Sequence, residues 1–283
     1  MKISDTVKEQ LASVLEHIND NEYCNLYKYV PSIKKEEIGT VFNTIPAITK
    51  EVLRSHSGNL SHYPESKVRY LSSEFDPEYA NRLFLFPQLL DAPWMLLNEL
   101  LKKRDAVVAI LSIPLFWQVG PFFYNTCKKN GVPMSVISPR NLPLARQVIK
   151  EVEAQAVTGT PEAADSLYGL LSEENIGNQI HTWHLIVPFG ENPEIPILPG
   201  NVLIEYHVFP GVPIGHTSPE LLRENPYSFI PSPEYFFEID NGTCFITSLE
   251  SHALPFIRLE IGRNAEKITR EGKEIVSIKE YVS

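Results

Sequence analysis

From Ala106 to Val208 short apolar runs alternate with helical stretches, and this alternation restricts the fold more than any other feature of the chain. The runs Ala106–Leu111, Val132–Ser138, Gln155–Thr158, Ile180–Val187 and Val202–Val208 read as buried strands. Between them, Pro121–Asn130, Leu142–Glu153 and Pro161–Leu171 read as helices, two of them opening on a first-turn proline and one closing at Gly131. Strands separated by helices need crossover connections, which give a mostly parallel sheet flanked by helices. After about residue 230 the pattern becomes β-rich. Tyr235–Ile239, the turn Asp240-Asn241-Gly242 and Thr243–Thr247 form a hairpin signal, and Phe256–Ile261, Glu266–Thr269 and Glu274–Ile278 read as further strands. The expected fold class is α/β with a β-rich C-terminal subdomain.

The N-terminal part is less regular. Residues 5–18 place Val7, Leu11, Val14, Leu15 and Ile18 on one helical face, with Asp5 as the expected N-cap. Short helices are expected over Lys34–Phe42 and from Thr49 to Arg54, a strand over Val68–Leu71, and helix over Asn81–Phe86 and Pro93–Leu101. Three parts follow: an N-terminal helical and loop segment packing on the core (1–66), the α/β core (67–230) and the β-rich subdomain (231–283).

Composition narrows the function classes. A net charge of −10 with no basic run argues against nucleic acid, whose binding rests on Lys and Arg at phosphates. The polar, charged N-terminus is not a signal peptide, and the apolar run from Ala106 to Trp117 is short of the ~20 residues that a membrane span needs. Cys24, Cys127 and Cys244 are odd in number and far apart, as expected of a reduced cytoplasmic protein. Prolines number 23 against 14 glycines, and no glycine occurs between Gly58 and Gly120. A loop that grips phosphate needs glycines to bring backbone N–H groups close to the anion.

Four stretches, in this order, resemble the adenylate-forming superfamily, with phenylacetate–CoA ligase and the acyl-protein synthetase of bacterial luciferase systems as the nearest branches. They are Ile45–Arg54, Gln155–Pro161 ending in Gly159-Thr160-Pro161, Leu185–Glu191 ending in Gly190-Glu191, and Phe245–Arg258 with its Pro255-Phe-Ile-Arg258 close. The resemblance implies the large N-terminal domain of that family. It also implies a phosphate loop at Ser72-Ser73-Glu74-Phe75-Asp76-Pro77, an adenine-stacking Tyr206 followed by His207, and an acyl pocket near Thr160-Pro161.

The departures bear on the chemistry. The phosphate loop has lost its glycines and threonines, and Glu74 and Asp76 set negative charge where a triphosphate would lie. At ~4 Å and an effective dielectric near 20, each like-charge pair costs about 4 kcal/mol. After Tyr206 the expected Thr and Glu are missing, no acid stands at Gly262-Arg263 for the ribose, and the chain stops at Ser283, so the family's small lid domain with its catalytic lysine is expected to be absent.

Individual residues keep two readings. Ser72-Ser73 are remnants of a phosphate loop or, preferred, a polar turn after a strand. Gly159-Thr160-Pro161 form the floor of an acyl pocket or only the start of the next helix. Phe116 and Trp117 line an aromatic wall or pack in the core. His207 and His216 touch a ligand or are surface polar groups. Arg258 meets a ligand carboxylate or phosphate, or pairs with a buried acid. His181 and His184 stand three apart, on opposite faces of a strand, which does not make a metal site.

The resulting expectation is a degenerate relative that does not use ATP alone, needs no cofactor, and takes a small carboxylic acid or acyl ligand or serves a partner enzyme or carrier protein. The alternative is an active acid–thiol ligase that uses ATP, Mg²⁺ and CoA through an acyl-adenylate, with its C-terminal domain on a separate chain. No catalytic residue is identifiable.

Overall fold

The computed structural model describes residues 3–19, 33–49, 52, 70–73, 83–86, 106–189, 194–209, 212–249 and 256–281. Two compact units emerge, one of residues 1–89, 233–269 and 276–283, the other of 90–232 and 270–275.

The second unit holds the α/β core. Its strands are β3 (Val107–Ile110), β4 (Met134–Ile137), β5 (Ala156–Gly159), β6 (Thr182–Pro188), β7 (Asn201–Phe209), β8 (Val212–Thr217) and β9 (Ser228–Pro231). Their order in the sheet is β9-β8-β7-β6-β5-β3-β4, and residues 270–275 complete this unit beyond β9. The pairs β4–β3, β3–β5, β5–β6 and β6–β7 are parallel. β8 and β9 are antiparallel additions, so the sheet is mixed rather than mostly parallel at that edge. The sequence carries little warning of them, because Pro213, Gly215 and Pro231 interrupt the apolar alternation.

Three longer helices connect the parallel strands: α3 (Ile113–Lys129), α4 (Leu142–Val152) and α5 (Pro161–Glu173). They cover both faces of the sheet. On β6, Trp183 meets Tyr168 of α5 edge-on at 6.0 Å, whereas the adjacent His184 meets Phe123 of α3 at 5.9 Å. Successive strand residues point to opposite faces, so α3 and α5 lie on opposite sides. α3 starts at Ile113, well before the expected Pro121, with Pro114 in its first turn where a missing N–H costs nothing. Among the described residues no helix is long and apolar enough to cross a membrane.

In the first unit, α1 (Asp5–Asn19) buries Leu11, Val14, Leu15 and Ile18 as its periodicity predicts. Its cap is Ser4, whose Oγ accepts from Val7 N at 3.3 Å; Asp5 is already inside the first turn. A mixed 3₁₀ and α segment follows over residues 35–44, including α2 (Ile38–Val41). Strands β10 (Tyr235–Asp240), β11 (Thr243–Ser248), β12 (Leu259–Arg263) and β13 (Glu280–Tyr281) form an antiparallel sheet. The turn between β10 and β11 puts Asn241 and Gly242 at φ 48° and 79°, the left-handed pair that an Asn-Gly hairpin turn requires.

β1 (Tyr70–Ser73) and β2 (Leu83–Phe86) form a separate antiparallel pair. Ser72 and Ser73 are therefore strand residues opposite Phe84 and Leu83, not a turn, and residues 83–86 are strand rather than helix. Cross-strand pairing overrides the local helical preference here. Glu74 and Asp76, like the expected helices at 49–54 and 93–101 but for Thr49 and Val52, fall outside the described residues.

Candidate functional site

In an open α/β sheet, ligands bind in the crevice beyond the carboxyl ends of the parallel strands. Here that edge is stepped. Gly159, the last residue of β5, is level with Ile110 of β3 and Leu185 of β6, whereas β6 and β7 continue to the Pro188–His207 pair.

Each described candidate at this edge also has a local structural task. A Cβ on Gly159 would lie 2.8 Å from the Ile110 carbonyl oxygen, so the close approach of β5 to β3 requires glycine. Thr160 is the N-cap of α5, its Oγ1 accepting from Ala163 N at 3.4 Å, and Pro161 fills N1. Thr160→Ala is expected to cost about 1 kcal/mol of stability in a urea titration; a larger loss would mean that the hydroxyl does more than cap. Phe116 and Trp117 belong to the first turns of α3. Gly190 and Glu191 lie outside the described residues.

Tyr206 and His207, the expected nucleotide contacts, are both buried on β7. The Tyr206 ring is edge-on to Phe189 at 5.6 Å and to Phe229 at 6.1 Å, and its hydroxyl donates to the Pro226 carbonyl. Burial raises its phenol well above the usual range. His207 is not a surface histidine: burial, with some help from His184, lowers its pKa from 6.5 to about 3, so it is neutral.

Beneath the edge runs a buried polar row that sequence reading did not find. Thr158 Oγ1 lies 2.8 Å from His184 Nδ1, and His184 Nε2 lies 2.7 Å from Glu205 Oε2. The three residues come from β5, β6 and β7, and His216 of β8 pairs in register with Glu205. Burial pushes the Glu205 carboxyl up, while the hydrogen bond and charge of His184 pull it back. Hydroxyl, imidazole and carboxylate stand in the order used for acyl transfer. Thr158, however, is 0% exposed, so no substrate carbonyl reaches its oxygen. The row ties three strands together across the sheet. Its one sequence signal is three polar residues inside apolar strand runs. His181 is exposed and just precedes β6, while His184 is buried.

Arg258 lies in the other unit and is also buried. Its Nε and Nη2 donate to the two carboxylate oxygens of Glu238 at 2.9 and 3.3 Å, and Nη1 donates to the Asn43 and Ile45 carbonyls. The guanidinium also sits 4.6 Å from the Phe245 ring centroid. Of the two readings, pairing with a buried acid is the one the structure supports. Burial raises the Glu238 carboxyl, and Arg258 opposes that.

A mixed sheet flanked by helices, with a separate antiparallel sheet formed near the C-terminus, is the fold of the large domain of adenylate-forming enzymes. Among solved structures the chain is similar to 2-hydroxyisobutyryl-CoA ligase in an open conformation with 2-HIB-AMP and CoA, at TM-score 0.65 and 13% identity, covering 96% of this chain and 72% of that one. The same ligase in its postadenylation state, with R3-HIB-AMP, gives TM-score 0.65 and 12% identity over 97% and 66%. VinN gives 0.50 and 17% over 76% and 58%. At these identities the likeness is one of fold. No protein-family model matches the chain, and none of the curated proteins does.

Proposed function

We propose that this chain is a non-adenylating form of the adenylate-forming large domain, which keeps a strand-end crevice for a carboxylic acid or its acyl thioester and does not use ATP by itself. The observation that carries this reading is Tyr206: its ring is buried among Phe189 and Phe229 and its hydroxyl is bonded to Pro226, so no ring face is presented to a base. Two further features agree. Ser72 and Ser73 are paired in a strand, in a stretch without glycine from Gly58 to Gly120, and the guanidinium of Arg258 is committed to Glu238 and two carbonyls. Adenylyl transfer needs preorganised donors and usually Mg²⁺ for the charge that develops on phosphorus. Acyl binding asks less: an apolar crevice with a few polar groups. The ligand class follows that of 2-hydroxyisobutyryl-CoA ligase, whose solved forms hold an acyl-adenylate and CoA. Such a domain would act as a binding module or as the partner subunit of an active ligase or carrier protein.

Thermal-shift measurements with ATP·Mg²⁺, with a panel of aromatic and aliphatic acids, and with their CoA esters test the proposal. A ligand at 100 times its Kd adds about 2.7 kcal/mol of stability. The expected result is no shift with ATP·Mg²⁺ and a shift with an acid or thioester. A magnesium-dependent shift with ATP overturns the reading.

A further inference from the structure

Helix α4 has two apolar stripes: one is buried, and the other is exposed at both ends with Val148 half-buried between them. Ala145 and Ile149 are buried against β3 and β4. One position further round the helix, Arg146 and Lys150 both reach Glu174, the residue that closes α5, at 2.9 and 2.6 Å. That flank therefore faces α5. Leu144, Val148 and Val152, spaced one turn apart, form the opposite flank and face the other way, toward β4. Leu144 is 43% exposed and Val152 52%. β4 is the last strand in the order of the sheet among the described residues, and its Val136 is exposed as well. On the other face of the sheet α3 adds Tyr124, 55% exposed.

Open edge strands are usually blunted by charge or proline, because unpaired N–H and C=O groups recruit another strand. β4 is short, but its sequence, Met-Ser-Val-Ile, carries neither charge nor proline. An apolar stripe beside such an edge is an interaction surface rather than scattered surface apolarity.

We propose that this edge joins a second copy of the chain about a two-fold axis, β4 pairing antiparallel with its mate and α4 packing antiparallel on its mate, with Val148 at the axis. Three observations select a second copy over another protein. The stripe is palindromic: Val148 lies midway between Leu144 and Val152, so a two-fold sets Leu144 of each copy against Val152 of the other, as an isologous contact requires. The spacing fits. α4 rests over both β3 and β4, so adding one strand pair places the two α4 axes about two strand spacings apart, ~10 Å, within the range for packed helices. The charges agree too. Arg140 precedes α4, while Glu151 and Glu153 stand at its end, all exposed, so the antiparallel arrangement brings Arg140 of one copy toward the acidic end of the other.

Sedimentation velocity of the full chain over a wide concentration range tests this. The expected species has twice the 32.1 kDa mass of the chain. Val148→Glu, which opposes two like charges at the axis, is expected to halve that mass while leaving the circular dichroism spectrum unchanged. Val148→Cys is expected to form an intermolecular disulfide on oxidation, whereas Ser172→Cys, exposed on α5, does not. A chain that stays monomeric at every concentration overturns the proposal. So does a dimer that survives Val148→Glu and fails to cross-link through Val148→Cys.

Discussion

Replacing Arg258 by alanine is expected to lower the unfolding free energy by about 3–5 kcal/mol in a urea titration, because it strands a buried carboxylate. Glu238 would lose both of its guanidinium hydrogen bonds, and the Asn43 and Ile45 carbonyls would lose their donor. Arg258 also holds a left-handed backbone, φ 48°, a conformation that costs a non-glycine residue of order 1–3 kcal/mol and persists only where the surroundings impose it. The backbone contributes in turn: Ile48 N donates to the Arg258 carbonyl and Glu260 N to that of Ile48, clipping the N-terminal segment onto β12. A double variant, Arg258→Met with Glu238→Leu, is expected to recover much of the loss, since an apolar pair avoids the desolvation that the ion pair must offset. A near-neutral Arg258→Ala would contradict this view of the residue and return it to the list of ligand contacts.

Acid is expected to expose the second large effect, through His207. Its folded pKa, about 3, lies below the unfolded value of 6.5, so the native state binds fewer protons between those values. The associated stability is fully present above the unfolded pKa and is lost as pH falls toward the folded one. His207→Phe removes that loss. Between about pH 7 and about pH 4, the stability difference between variant and parent should move in favour of the variant by about 3 kcal/mol. Glu205 works the other way. Its folded pKa is raised by burial, so its contribution is present at low pH and fades as pH rises through the raised value. Glu205→Gln should therefore remove a slope of opposite sign. Equal pH profiles for His207→Phe and the parent, measured by urea titration at each pH, would mean that His207 is not held neutral.

The parts of the fold legible in the sequence are those whose signals are local. Asn241-Gly242 between two alternating runs specified the β10–β11 hairpin, and apolar runs separated by amphipathic stretches specified β3 to β7. Signals that depend on distant chain were missed. β2 looked helical because Leu83–Phe86 is a short apolar run, and only its pairing with Tyr70–Ser73 makes it a strand. The Thr158–His184–Glu205 row depends on parallel register between residues 26 and 21 positions apart, which no local pattern encodes. Arg258 was legible as the most informative polar residue of its segment, but its partner Glu238 was not, because the two meet across a sheet. Tyr206 drew attention through a resemblance, whereas its burial comes from Phe189, Phe229 and the Pro226 carbonyl, which lie on other strands and connections.

The central proposal is that this chain, which has the fold of the adenylate-forming large domain, does not use ATP by itself. The most direct test is ATP–pyrophosphate exchange by the purified chain with Mg²⁺ and a panel of aromatic, fatty and short hydroxy acids. Exchange reports acyl-adenylate formation alone and needs no thiol acceptor. The account predicts exchange no faster than a protein-free control for every acid, including those that shift the melting temperature. Acid-dependent exchange above that control, with any one acid, would contradict it and make this chain a working ligase.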